Sequence, residues 1–190
     1  MKNPAALRRQ LDRWTKSGKI LQLRREVYLL NRPYLPTRPH PFLIANQLRR
    51  SSYVSLQSAL SYYGLIPEYV PVVTSVTGGR PEQLETSLAQ FHFRHVQGRH
   101  FFGFVEREVA VNQVARLATP EKALADLLYL TPGSDLADYL QELRLEIPET
   151  FNWLTLNEIG RIMQAPKVQR AISLLHQLWK EESPHETVIA

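Results

Sequence analysis

Between residues 5 and 17 the apolar side chains fall at Ala6, Leu7, Leu11 and Trp14, and the spacings of four and three put Leu7, Leu11 and Trp14 on one helical stripe. Arg8, Arg9, Asp12, Arg13 and Lys16 fall off that stripe. Ser17-Gly18 ends the helix, since glycine takes the left-handed backbone of a helix terminus at little cost. In KILQLRREVYLL, Ile20, Leu23 and Val27 to Leu30 predict two short strands hinged near Arg24-Arg25-Glu26. The stretch PYLPTRPHP, with Pro33, Pro36, Pro39 and Pro41, admits neither helix nor central strand and predicts an extended, stiff connector. The expected division is an N-terminal unit over 1–32, a linker over 33–41 and a larger domain over 42–190, the last folding without the first.

The larger domain opens with a predicted helix from Pro41 to Leu48. In YVSLQSALSYYGLIP, Ser55 is placed to cap a short helix whose apolar side is Leu56, Ala59, Leu60 and Tyr63 and which Gly64 closes. VPVVTSVT is a β-branched strand broken by Gly78-Gly79. In TSLAQFHFRHV the alternation sends Phe91, Phe93 and His95 one way and His92 and Arg94 the other, and FFGFVEREVAV gives a further strand. The expectation is a twisted antiparallel sheet of about four strands.

The period then becomes helical. In ATPEKALADLLYLTP, Thr119 is a cap, Pro120 suits the first helical position, Glu121 favours the dipole and pairs locally with Lys122, and Ala123, Leu124, Leu127 and Leu128 form the buried stripe. Thr155 with Glu158 predicts a capping box for a helix through Met163; Val168, Ile172, Leu175 and Trp179 line a final helix, and HETVIA reads as a frayed end. The fold class expected is therefore α+β, a small mostly antiparallel sheet packed with helices and a helical C-terminus, behind a separate N-terminal unit.

Charge gives that unit a meaning. Residues 1–50 carry 12 Lys or Arg against the two acids Asp12 and Glu26, a net +10, and the remaining residues sum to −5. A dense cationic segment releases condensed counterions when it meets phosphates. Helix, glycine, strand, basic turn, strand is the second half of a winged helix-turn-helix, in which the helix enters the major groove. Arg8, Arg9, Arg13, Lys16 and Lys19 would then face phosphates or guanine edges, with Arg24 and Arg25 at the tip of the wing. The competing reading is an amphipathic cap on the larger domain, but basic residues occur at the hairpin tip as well as on the helix, with few acids to balance them.

Enzymatic chemistry finds no foothold in the motifs. There is no Gly-rich phosphate loop, no GxSxG elbow and no HExxH, and cysteine is absent. His92 and His95 point to opposite faces of their strand, so His92, His95 and His100 do not read as a metal set. Tyr62-Tyr63 and Phe101-Phe102 divide between core and surface more readily than they form a base-stacking platform. No cofactor and no catalytic residue is expected. With no apolar run long enough to span a bilayer and no secretory leader at MKNPAALRRQLDRW, the expected compartment is the cytoplasm.

The strings RRQLDRWTKSGKILQLRREVYLL, YVSLQSALSYYGLIPE, TSVTGGRP, FHFRHV, FFGF and ATPEKALADLLYL, in that order, resemble the AbiEi-type antitoxins of type IV toxin–antitoxin systems. The resemblance covers most of the chain to about residue 130 and is vaguer beyond. It implies an N-terminal winged helix that binds its own operon's promoter and a C-terminal domain that counteracts a cognate toxin resembling a nucleotidyltransferase, with or without touching it. Implied partners are operator DNA, that toxin and a second copy of the chain, with no membrane. Two departures stand out: a complete winged helix has two helices before the recognition helix, whereas here Arg8 is already on it, and Glu26 occupies the wing turn where the family usually has glycine. The unit is therefore expected to be a partial winged helix. The alternative is a protein-interaction module without autonomous DNA binding.

Overall fold

The basic N-terminal segment folds as its periodicity predicts. A computed structural model describes residues 4–68 and 70–182, and in it α1 (Pro4–Lys16) is followed by an antiparallel hairpin of β1 (Ile20–Arg24) and β2 (Val27–Leu30). Gly18, at φ 69°, lets its N–H reach Thr15 O at 3.0 Å while Lys19 N–H reaches Trp14 O at 2.9 Å, the bond pair that satisfies the last carbonyls of a helix. Asn31 ties the hairpin to this corner, its backbone N–H donating to Lys19 O and its Nδ2 to Gly18 O.

The larger part is a six-stranded sheet ordered β5-β6-β4-β3-β8-β7, from β3 (Ser52–Val54), β4 (Val72–Thr77), β5 (Glu82–Glu85), β6 (Gln90–His95), β7 (Phe104–Ala110) and β8 (Gln113–Ala118). Its α+β class is as expected, but the strand count of about four is corrected to six, and two of the five pairings, β3 with β8 and β4 with β6, are parallel. β3, β5 and β8 are not announced by an apolar–polar alternation of clear length in the sequence. β3 is three residues long and buried throughout, β5 is a polar edge, and β8 follows β7 through a turn in which Asn112, not glycine, takes φ 56°.

Helices α2 (Pro41–Leu48), α3 (Leu56–Tyr62), α4 (Pro120–Leu130), α5 (Ala137–Glu142), α6 (Trp153–Met163) and α7 (Pro166–Glu182) complete the chain. α4 is the hub: residues 121–128 are all buried, and it packs against α3, α6 and α7. Thr119 caps it as expected, accepting from Lys122 N–H. Two cap assignments are corrected. Ser55 sits at the start of α3 but makes no cap bond because its hydroxyl donates to Asp126, and α6 begins at Trp153 under Asn152, whose Oδ1 accepts from Thr155 N–H.

The hairpin is seated on the larger part. Leu23 belongs to the same buried cluster as Ile44, Leu48 and Val76, and Leu21, Val27 and Leu29 pack against that cluster. α1 is different, since none of its residues is buried: Leu7 is 51% and Trp14 38% exposed. The Leu7, Leu11, Trp14 stripe is thus left open on one side. Among the described residues no helix is long and apolar enough to cross a membrane. The HETVIA end, residues 185–190, lies outside the described residues.

Candidate nucleic-acid interface

α1 forms because PAALRRQLDRWTK starts with proline and continues in good helix formers, with Arg13 and Lys16 placed against the negative end of its dipole. The side chains predicted to bind DNA divide into three groups. Arg9, Arg13 and Lys16 recur at i, i+4 and i+7, one exposed line opposite the Leu7, Leu11, Trp14 stripe and about 10 Å long at the helical rise. Lys16 meets Asp12 at 2.9 Å in a fully wet pair, and Arg13 hydrogen-bonds Gln10. Lys19 is exposed just beyond Gly18.

Arg8 turns instead toward the hairpin. With Pro4, Leu7, Leu11, Arg25, Glu26 and Tyr28 it lines an open groove of about 580 Å³ between α1 and the hairpin turn. Arg25 stands exposed at that turn, its Nε 3.9 Å from the Glu26 carboxylate. Glu26 holds φ 65°, a left-handed conformation that costs an ordinary residue about 1–2 kcal/mol and that glycine would adopt freely.

Arg24 is drawn away from the tip. Its Nη1 donates to Leu48 O at 3.0 Å, at the end of α2, and lies 3.4 Å from Glu82 on β5. Arg49 reaches the same Glu82 oxygen at 3.2 Å and also donates to Arg80 O. Two arginines thus clasp one half-buried carboxylate, fastening the hairpin to the body, and Arg25 remains as the tip cation. Glu82 was invisible to sequence reasoning because β5 was not recognised as a strand.

The second constellation that periodicity missed lies under α4. Lys122 and Asp126 are both fully buried and ion-paired. The Lys122 ammonium also donates to the Tyr53 hydroxyl at 3.1 Å and sits 4.9 Å from the Phe102 ring centre, and the other Asp126 oxygen accepts from Tyr53 Oη at 2.9 Å and Ser55 Oγ at 2.8 Å. Every polar atom of the four side-chain heads finds a partner. Burial pulls the Lys122 ammonium below its ordinary value and pushes the Asp126 carboxyl above its own, while their mutual attraction opposes both shifts. Burial and the neighbouring Asp126 charge push the Tyr53 phenol up. The signal was in EKALADLL: past Glu121 in the first turn, two opposite charges stand four residues apart among the apolar residues of the helix. The cluster is closed to solvent, so it locks β3 to α4 and offers no substrate a way in.

The alternation of β6 is as expected: Phe91 and Phe93 are buried, while His92 and Arg94 line an open groove of about 550 Å³ with Thr74 and Tyr139. Arg94 Nη2 is committed there to Leu130 O at 2.9 Å. Phe101 joins Tyr53 and Phe104 in an aromatic cluster, and Tyr62 and Tyr63 meet edge to face. Glu121 is buried at the start of α4 and accepts from Asn152 N–H at 3.0 Å, so its partner is a backbone amide. Comparison with known protein families gives no match for this chain, and comparison with curated proteins gives none either.

Proposed function

We propose that the chain is a DNA-binding antitoxin and transcriptional autorepressor that opposes a nucleotidyltransferase-like toxin. The observation carrying the DNA half of this reading is the line Arg9, Arg13, Lys16, followed in the chain by Lys19 and flanked at the hairpin turn by Arg25, on a helix whose apolar stripe faces the other way. A helix that rests on a hairpin by one side and presents cations on the other has the form that enters a major groove while the wing follows the backbone. The antitoxin half rests on the sequence resemblance. The proposed site belongs in the cytoplasm, where its operator would be.

The test is a gel shift on the DNA upstream of the chain's own reading frame, repeated over a range of salt, beside co-expression with the adjacent gene. Five contacting cations predict a log–log salt slope of about −4.5. A flat salt dependence would remove the DNA reading, and no toxicity from the neighbouring gene would remove the antitoxin reading. A second reading, an interaction module without useful DNA affinity, draws support from the exposure of Leu7 and Trp14, since a reading head with half its apolar stripe wet is not self-sufficient. Retained toxin neutralisation without a gel shift would favour it.

A further inference from the structure

The groove between α1 and the hairpin turn has an apolar floor and a cationic rim. Pro4, Leu7 and Leu11 form the floor on the helix side and Tyr28 on the hairpin side, with Trp14 one turn further along the same stripe. From Pro4 to Trp14 the stripe runs about 15 Å, three turns of helix. Arg8 and Arg25 stand at the rim with Glu26, whose carboxylate already faces Arg25. An exposed apolar stripe of this length is the kind of surface a partner helix covers with residues at i, i+3 or i+4 and i+7.

The charges select the occupant. A second copy packing α1 against α1 would bring the Arg8 and Arg25 rims against their own kind. A DNA backbone would satisfy the rim but leave the floor wet. We infer that this groove docks an acidic amphipathic helix of about three turns, supplied by a protein partner, whose apolar residues cover Leu7, Leu11 and Trp14 and whose carboxylates meet Arg8 and Arg25. Because Arg9, Arg13 and Lys16 point the opposite way, the docked helix leaves that line free and takes only Arg25 from the cations proposed to meet DNA. The groove thus gives a partner a way to stiffen or steer the reading head while the helix line stays open to DNA.

The experiment uses the full chain and two fluorescein-labelled synthetic peptides of 14 residues. Both carry leucines at helical spacing; one has glutamates at the flanking positions and the other lysines. Anisotropy titration should give micromolar binding of the acidic peptide and at least tenfold weaker binding of the basic one. Leu11→Ser should weaken the acidic peptide at least tenfold, and Arg8→Glu with Arg25→Glu should reverse the preference. Because α1 buries no residue, these variants keep the fold, which circular dichroism checks. Equal binding of both peptides, binding of neither, or a concentration-dependent dimer in sedimentation that Leu11→Ser abolishes would overturn the inference. It does not depend on the DNA reading: peptide binding by a chain that fails the gel shift would sustain the one and refute the other.

Discussion

Asp126→Ala isolates what the buried network contributes. The substitution leaves the Lys122 ammonium with only the Tyr53 hydroxyl at 3.1 Å and the Phe102 and Tyr53 rings about it, and it strips the Ser55 and Tyr53 hydroxyls of their acceptor. Breaking a buried pair by removing one partner costs about 3–5 kcal/mol, because the surviving charge must either stay desolvated or give up its proton. At about 2–4 °C per kcal/mol for a chain of this size, the midpoint should fall by about 6–20 °C. Urea and thermal melts followed by circular dichroism measure it. Adding Lys122→Met to Asp126→Asn should recover at least half of the loss, since the charge goes and an acceptor for the two hydroxyls stays. Arg170→Ala provides the contrast: it breaks the pair with Asp135, 2.7 Å apart, whose arginine side chain is exposed, and should lower the midpoint far less. A cost below about 1 kcal/mol for Asp126→Ala would refute the claim that this pair holds β3 to α4.

Gly103→Ala should destabilise the body by about 1–3 kcal/mol in a urea melt, since a Cβ there meets Lys122 Cγ at 2.9 Å and the residue holds φ 73°. Glu26→Gly should stabilise the chain by up to about 1 kcal/mol by relieving the left-handed turn, and it frees Arg25, so the same variant should bind DNA more tightly in the gel shift. His100 is buried with Nε2 on Met163 O at 2.9 Å, and burial holds its pKa below the ordinary 6.5. The unfolded chain therefore takes up the proton first, so this residue's contribution is intact above pH 6.5 and is lost as pH falls below it. Urea midpoints at pH 7.5 and 5.5 should separate more in the native chain than in His100→Gln, and equal separations would rule this out.

The parts of the fold that rest on local chemistry were legible in the sequence. The Leu7, Leu11, Trp14 period, the Gly18 stop, the paired strands on either side of Arg24–Glu26 and the Thr119-Pro120 start of α4 each follow from one residue's backbone preference or one spacing. What was not legible depends on distant partners. Ser55 has the composition of a cap, but Asp126, far along the chain, claims its hydroxyl. Arg24 and Arg25 are adjacent and alike, yet Glu82 and the Leu48 carbonyl take the first and leave the second in water. The parallel pairings of β3 with β8 and β4 with β6 are likewise long-range, and no hairpin signal announces them.

That long-range fastening decides where the chain can be cut. α1 buries nothing, whereas the hairpin contributes Leu23, 9% exposed, to the core cluster of the body, packs Leu21, Val27 and Leu29 against it and spends Arg24 on the body. Removing residues 1–18 should therefore change stability by less than about 1 kcal/mol, as substitutions on an open surface do. Removing residues 1–41 strips Leu23 and the partly buried Leu21, Val27 and Leu29 from the core and, at about 1.5–3 kcal/mol for one fully buried side chain, should cost about 3–6 kcal/mol, so the fragment 42–190, expected from sequence to fold alone, should do so with a much lower melting point. The cut at 18 also removes Arg8, Arg9, Arg13 and Lys16 while keeping Lys19, Arg25 and the seated hairpin. Residues 19–190 should then keep their cooperative melt, lose most of the salt-dependent gel shift, and still relieve growth arrest in the co-expression assay if toxin control resides in the body. A gel shift of unchanged salt slope from this fragment would place the DNA surface elsewhere, because no cation of α1 would remain to account for it.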